Sequence, residues 1–477
     1  MPTTQRLAHR PMVARAVDES NRTATPLELL FDLTFVVAVS RLADGFAHDI
    51  VDGHVHSATG PFLMVFFAIW WAWMNFTWFA SAYDCDDVPY RLAAFMQIGG
   101  VLVLAAGSAR ALEGDYTAVA MGYLIMRIGL LSLWLRAAVQ HPAGRATALR
   151  YAAGVGSLEV LWLARLGLGE VMAVATFMAL VVLELLVPVW AERAGPTSWH
   201  PHHIAERYSL FTIILLGEGV LAASSAAAAV IEKAGGFDLA IISASGLVIV
   251  AALWWLCFAV ADGEGLQARR HWSFLWGYGY YVPFAGLAAL GAGLEVVVVA
   301  GTSHPGNLTT TVAVGSVAVP VGIVIVMVEL LRVPLAGADA WVPARVVGLL
   351  LALAAAVAAA NRVGLTEGVS LVAVIAVGAV VADSVRPAAP RADGLSSGFP
   401  EADRAVSAVA QHSGLFAECP HRHSIVRLRA SHATPSDRST GMRPVTHNPE
   451  ARSSSSSMIE IAVGRSASLA GPSAASA

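Results

Sequence analysis

Twelve stretches of this chain are runs of apolar residues interrupted only by isolated charges. Crossing a hydrocarbon core of ~30 Å takes about 20 residues of helix at 1.5 Å each. On that basis the runs 27–47, 60–82, 91–109, 118–139, 149–168, 171–191, 206–229, 237–261, 272–298, 308–332, 342–360 and 364–385 predict twelve spans. Helix is the only form that satisfies every backbone N–H and C=O of such a segment without water. The first, fifth and sixth runs are the least continuous, since they hold charges or adjoin very short turns. The expected fold is therefore all-α and polytopic, wetted by a lipid bilayer. From Pro387 onward the texture changes to stretches such as "PAAPRADGLSSGFP" and "ARSSSSSMIE", without apolar period, which read as a disordered tail.

Composition supports the same picture. The 477 residues are 56% hydrophobic and 13% charged, where soluble domains carry about 25% charged residues; mean hydropathy is +0.63. Too little polar surface remains to clothe a water-soluble body. A formal charge of −4 gives no footprint for nucleic acid. Cys85, Cys257 and Cys419 lie far apart and form neither a disulfide framework nor a metal pair. Lys233 is the only lysine beside many arginines, and with so much Ala, Val and Gly this points to a GC-rich bacterial genome. The first 24 residues are polar, so no cleavable signal is expected and the spans themselves direct insertion.

Basic residues in short loops set orientation. With the N-terminus in the cytoplasm, the inner gaps hold ten basic residues and the outer gaps four, Arg110, Arg165, Lys233 and Arg362. Both termini are then cytoplasmic, and the inner membrane is the expected location. The divisions that follow are a tail 1–25, a first six-helix half 26–200, a second half 201–386, and the tail 387–477. The halves look alike: "ELLFDLTFVV" opens the first span and "ERYSLFTIILLGE" the seventh. "IWWAWMNFTWFASAYDCDD" in the second span matches "LWWLCFAVADGEG" at the end of the eighth. Six is even, so such a repeat is parallel, and a site between its halves is the expectation.

The chemistry lies in charges placed in oil, each costing ~2.5–3.5 kcal/mol at mid-span. "TPLE" reads as a capping box with Thr25 at the N-cap, Pro26 at N1 and Glu28 at N3. Asp32 lies one turn deeper on the same face, too deep to cap. Two such carboxylates repel unless one holds a proton or a cation stands between them. Asp32 is read either as part of a proton or cation site or as the partner of a buried arginine such as Arg41 or Arg127. In the seventh span Glu206 and Arg207 stand at the inner mouth, and Glu218 lies 12 residues further, flanked by Gly217 and Gly219. Glu218 is read either as an ion site or as helix glue. His203 and Glu206, three apart, are a weak metal pair.

In "DCDDVPYR", Asp84, Asp86 and Asp87 could bind a divalent cation, or Asp87 caps the third span while Arg91 meets the remaining acids. The tryptophans of "WWAW" read as packing or interface residues before substrate stacking, and "HDIVDGHVH" as a solvated outer loop. G-x-S-x-G, H-E-x-x-H and Walker patterns are absent, so no enzyme and no cofactor is expected.

Together, "LELLFDLTFVVAVSRLA", "WWAWMNFTWFASAYDCDDVPYR" and "HIAERYSLFTIILLGEGVLA" resemble the bacterial low temperature requirement A (LtrA) family over residues 27 to roughly 385. Leu30 stands where the family pattern "E-L-F-F-D" has a second aromatic. The resemblance implies a multi-spanning inner-membrane protein needed for growth in the cold. It carries over Glu28, Phe31, Asp32, Asp84, Asp86, Asp87, Arg91, Glu206, Arg207, Gly217 and Glu218 as motif positions. Phe31–Asp32 opening a first span is also similar, over a few residues, to the F-S-D helix of endolysosomal and bacterial potassium channels, without its serine. The leading expectation is a secondary transporter or channel for a small ion or small molecule, with a cation or proton site built from Asp32 and Glu218. The alternatives are a non-transporting sensor or scaffold, then a lipid-modifying enzyme.

Overall fold

The structure, a computed structural model, describes residues 9–16, 19, 22–167, 170–232, 236–259, 262–303, 306–336 and 341–385. The tail read at 387–477, with Cys419, and Lys233 lie outside the described residues. Among the described residues, twelve long helices appear where the apolar runs stand. They are α1 (Pro26–Val51), α2 (Val55–Tyr83), α3 (Val88–Leu112), α4 (Thr117–Gln140), α5 (Arg145–Arg165) and α6 (Glu170–Glu192), followed by α7 (Pro201–Glu232) and α8 (Phe237–Phe258). After the short helices α9 (Asp262–Ala268) and α10 (Ser273–Gly279) come α11 (Tyr281–Ser303), α12 (Thr310–Ala336), α13 (Val342–Val363) and α14 (Leu365–Ser384). No strand occurs among the described residues. The fold is an all-α polytopic membrane protein.

Ten of these segments are apolar and long enough to cross a bilayer. α1 and α5 miss that test because α1 carries Glu28, Asp32, Arg41, Asp44 and Asp49 and α5 carries Arg145, Arg150, Glu159 and Arg165. Both are long enough nonetheless, and α1 packs against α2, α3, α7 and α11. Its outward face is Leu29, Leu30, Leu33 and Val37, all exposed, while Phe31, Phe35, Ala38 and Leu42 are fully buried. That is the inverse of a soluble helix: apolar residues lie on both faces, and Glu28 and Asp32 are turned inward. α13 buries only Leu353, Ala356 and Ala360 and stands at the rim of the bundle.

The two sets of six helices have matching neighbours. α1 packs on α3, and α7 packs on α11; α3 packs on α4 as α11 does on α12. The pairs α4–α5 and α5–α6 likewise correspond to α12–α13 and α13–α14. One pairing departs from this: α8 packs along α14, whereas among the described residues α2 and α6 make almost no close backbone contact. The α3–α4 crossing depends on two glycines. A Cβ on Gly100 would lie 2.6 Å from the Gly122 carbonyl oxygen, and one on Gly122 would lie 2.6 Å from that of Gly100. Such small-residue contacts are how helices approach closely where lipid supplies no hydrophobic drive.

Candidate functional site

Two sets of acids line the α1–α7 seam. At the end of the bundle where both helices begin, Thr25 caps α1: its hydroxyl accepts the Glu28 N–H at 3.3 Å, and Glu28 accepts the Thr25 N–H at 2.7 Å. The predicted capping box is present, and Glu28 also has a second role. Its Oε1 lies 3.1 Å from Arg207 Nη1 and 3.2 Å from His203 Nε2. The same Arg207 donates to both Asp32 oxygens, at 2.8 and 2.6 Å. Trp73 Nε1 donates to Asp32 at 2.7 Å, and the Thr77 hydroxyl takes a further Arg207 N–H at 3.3 Å. Glu28, His203 and Arg207 are fully buried and Asp32 nearly so.

The cation between the two carboxylates is therefore a guanidinium from α7. A planar fork of donors suits two acids one helical turn apart better than an ammonium would. Of the two expectations for Asp32, the structure shows the buried arginine, although its identity differs. Arg127 pairs with Glu184 of α6 at 2.9 Å, and Arg41 is exposed. Around this knot, Phe31 meets Phe76 at 4.1 Å and Trp73 stacks on Phe211 at 4.3 Å. An aromatic collar seals the ion pairs. His203 and Glu206 do not converge: His203 faces Glu28, while Glu206 accepts the Ala24 N–H at 3.0 Å and lines a separate cavity with His202 and Asp262. Among the described residues no group of three or more His, Cys, Asp or Glu is placed to hold a metal ion.

The acidic loop between α2 and α3 is partnered acid by acid. Asp87 caps α3 through the Tyr90 N–H at 3.1 Å, and also accepts from Arg136 Nη1 at 2.8 Å and the Arg10 N–H at 2.8 Å. Burial opposes its ionisation, but these donors hold its carboxyl well below the usual range. Arg91 grips Asp86 at 2.8 and 2.9 Å. Asp86 sits at φ 45°, the left-handed region that Asp tolerates. Asp84 lies 3.4 Å from Arg15 and accepts the Asp86 N–H at 3.1 Å. The loop thus pins the N-terminal segment across the ends of α2, α3 and α4, leaving none of its acids without a donor.

Asp84 makes the loop sensitive to pH. Burial, and then the charge of Glu28, push its carboxyl up to about 6 despite the pull of Arg22 and Arg15. Its unfolded value is about 3.9. A raised folded value means that the folded state binds the proton more tightly, so stability from this group is present at low pH and declines as pH rises from about 4 to about 6. Asp84→Asn removes that decline, worth up to about 2–3 kcal/mol at 1.36 kcal/mol per unit. Melting curves of parent and variant between pH 4 and 7 check it: the difference between them grows with pH up to about 6 and then levels.

Glu218 differs from both of these groups. It lies near the middle of α7, is 6% exposed, and accepts a hydrogen bond from the Ser40 hydroxyl of α1. Ser40 is eight residues, or ~12 Å of helix, beyond Asp32, so Asp32 and Glu218 belong to separate environments. Asp44, one turn beyond Ser40, and Glu295 of α11 line the same cavity of about 290 Å³ as Glu218, with Ser225. No basic side chain lies within ion-pair distance of Glu218 among the described residues. Gly291 sets the wall: a Cβ there would lie 2.7 Å from the Glu218 Cβ. Of the glycines flanking Glu218, Gly219 is packed, its Cβ position 2.7 Å from Val250, while Gly217 faces open space.

The profile of the family described as bacterial low temperature requirement A protein (LtrA) matches residues 23–382, three quarters of the chain and all the helices described above but the last two residues of α14. The chain belongs to the LtrA family. An uncharacterized protein, RA0937, of Rhizobium meliloti (strain 1021) is 28% identical over 254 residues, covering 51% of this chain and 59% of that protein. The chain thus spans a little over half the length of this curated relative. No solved structure matches.

The three LtrA-like stretches meet in space. "LELLFD" and "HIAERYS" supply the two sides of the Arg207 knot, and Trp73 and Thr77 of "WWAWMNFTWFASAY" close it. Leu30, the departure from the family pattern, lies on the exposed face of α1, where one apolar residue serves as well as another; Phe31 beside it is buried. Asp44 and Ser40 were missed from the sequence, although their i, i+4 spacing on the acidic face of α1 was a usable signal. Glu159 is a further buried acid, with no hydrogen-bond donor on either oxygen among the described residues.

Proposed function

We propose that this LtrA-family chain is an ion-coupled membrane transporter in which Glu218 is the coupling carboxylate. The observation that carries this reading is the contrast among intramembrane acids. Glu28, Asp32 and Glu184 face an arginine, as in a structural pair. Glu218 instead lines a 290 Å³ cavity with Asp44 and Glu295 and, among the described residues, is held by a hydroxyl and faces no base. A carboxylate in such a place answers its charge by taking up a proton or a small cation. Matching helix neighbours in the two sets of six support the reading of a parallel repeat, with Glu218 at the seam where α1, α7 and α11 meet. We place the protein in the bacterial inner membrane with both termini cytoplasmic, so that this cavity lies toward the outer leaflet.

The test is flux in proteoliposomes. With a pH gradient imposed across vesicles holding the purified protein, internal pH relaxes faster than in empty vesicles; equal relaxation, for protons and for sodium and potassium gradients alike, contradicts the proposal. The alternative, a non-transporting sensor or scaffold, has the Arg207 knot and the acidic loop on its side, since each acid there is matched by a base.

A further inference from the structure

An aromatic-lined cavity lies apart from both acid clusters. Between α2 and α6, the pair that stands apart where α8 and α14 pack together, a cavity of about 360 Å³ opens near the bundle end that carries Glu192 and Arg270. Seven aromatic rings line it, and six of them stand in pairs. Trp78 and Trp199 are 5.0 Å apart, Trp71 and Tyr278 5.7 Å, and Trp134 stacks on Tyr151 at 4.1 Å. Trp70, Trp71 and Trp73 of this helix are all buried, Trp71 reaching the cavity from the core, while Trp78 lines it half-buried.

One carboxylate stands at its edge. Glu192 accepts the Tyr151 hydroxyl at 3.2 Å, and the Thr197 hydroxyl and N–H at 2.6 and 3.0 Å. These are neutral donors, and among the described residues no base lies within ion-pair distance of it. The rings already hold one cation: the Arg270 guanidinium lies 4.2 Å from the Trp199 centroid, while donating to the Trp199 carbonyl at 2.8 Å. Faces of tryptophan and tyrosine attract cations through the ring quadrupole, most strongly where water is excluded. Rings on several sides and a single carboxylate form the chemistry that recognises an ammonium group carrying apolar substituents.

We infer that this cavity binds an organic cation, with the aromatic pairs enclosing its alkylated ammonium and Glu192 supplying the counter-charge. The inference goes beyond ion coupling at Glu218 and does not rest on it, because binding requires no gradient. Arg270 occupies the Trp199 face and leaves the other rings for the ligand.

The test uses the full chain in detergent and three probes of nearly one shape: choline, its neutral carbon analogue 3,3-dimethylbutan-1-ol, and the anion 3,3-dimethylbutanoate. Tryptophan fluorescence and calorimetry read the affinity. Choline is expected to bind at least about tenfold more tightly than the alcohol, the equivalent of 1.4 kcal/mol, with the anion weakest. Glu192→Gln and, separately, Trp78→Leu each weaken choline by at least the same factor. A melting temperature within the parent's range shows that each variant is folded, and Trp78→Leu leaves the Glu192–Thr197 contacts untouched if the first variant is not. The inference is overturned if the alcohol or the anion binds as tightly as choline, if none of the three binds, or if the folded variants keep the parent affinity.

Discussion

Glu218→Gln is expected to reduce proton-coupled flux in proteoliposomes to the level of empty vesicles while leaving the protein folded. Glutamine keeps the shape of the side chain and an oxygen that accepts the Ser40 hydroxyl, so the α1–α7 contact survives. What it loses is the capacity to bind and release a proton. Because Glu218 makes no ion pair among the described residues, no partner charge is orphaned, and the stability change should stay within about 1 kcal/mol, the ordinary range for a substitution without a named penalty. A variant with parental flux refutes the role of Glu218. A variant whose melting temperature collapses together with flux places Glu218 with the structural acids.

Arg207→Met is expected to do the opposite. Removing the guanidinium leaves Glu28 and Asp32 facing each other in a dry seam, and breaking a buried pair in this way costs about 3–5 kcal/mol. Little folded protein should survive solubilisation. The control is the triple variant Glu28→Gln, Asp32→Asn, Arg207→Met, in which no buried charge is left and most of the loss is recovered, since a fully neutral replacement of a buried pair is often nearly neutral. Denaturation in mixed micelles compares the three proteins. If Arg207→Met alone unfolds like the parent, the knot is not what fastens α1 to α7.

The helical architecture was legible because a bilayer imposes one rule on every span, and apolar runs of about 20 residues obey it. Even the charged α1 was readable, since its acids are few and its length is right. The capping role of Glu28 was legible because a capping box is local: Thr25 and Glu28 are three residues apart. The same holds for Asp87 and its Tyr90 N–H. The partner of Asp32 was not, as Arg207 lies 175 residues away, and a sequence shows that a buried acid needs a base without showing which. Arg41 faces outward and Arg127 was already engaged by Glu184. Grouping Asp32 with Glu218 failed for a related reason: both lie on the α1–α7 seam, but about two helical turns separate their levels. The acids that do join Glu218, Asp44 and Glu295, come from helices whose meeting is a property of the fold alone.

Labelling with a hydrophobic carbodiimide, which reacts with protonated carboxyls in apolar surroundings, tests most directly whether the membrane acids divide into neutralised and proton-binding groups. Mass spectrometry of the protein labelled in membranes at pH 6 and pH 8 should find the adduct on Glu218, more at the lower pH, with Glu28 and Asp32 unlabelled at both. Adducts on Glu28 or Asp32 at the level of Glu218, or a Glu218 left unlabelled at either pH, would contradict that division.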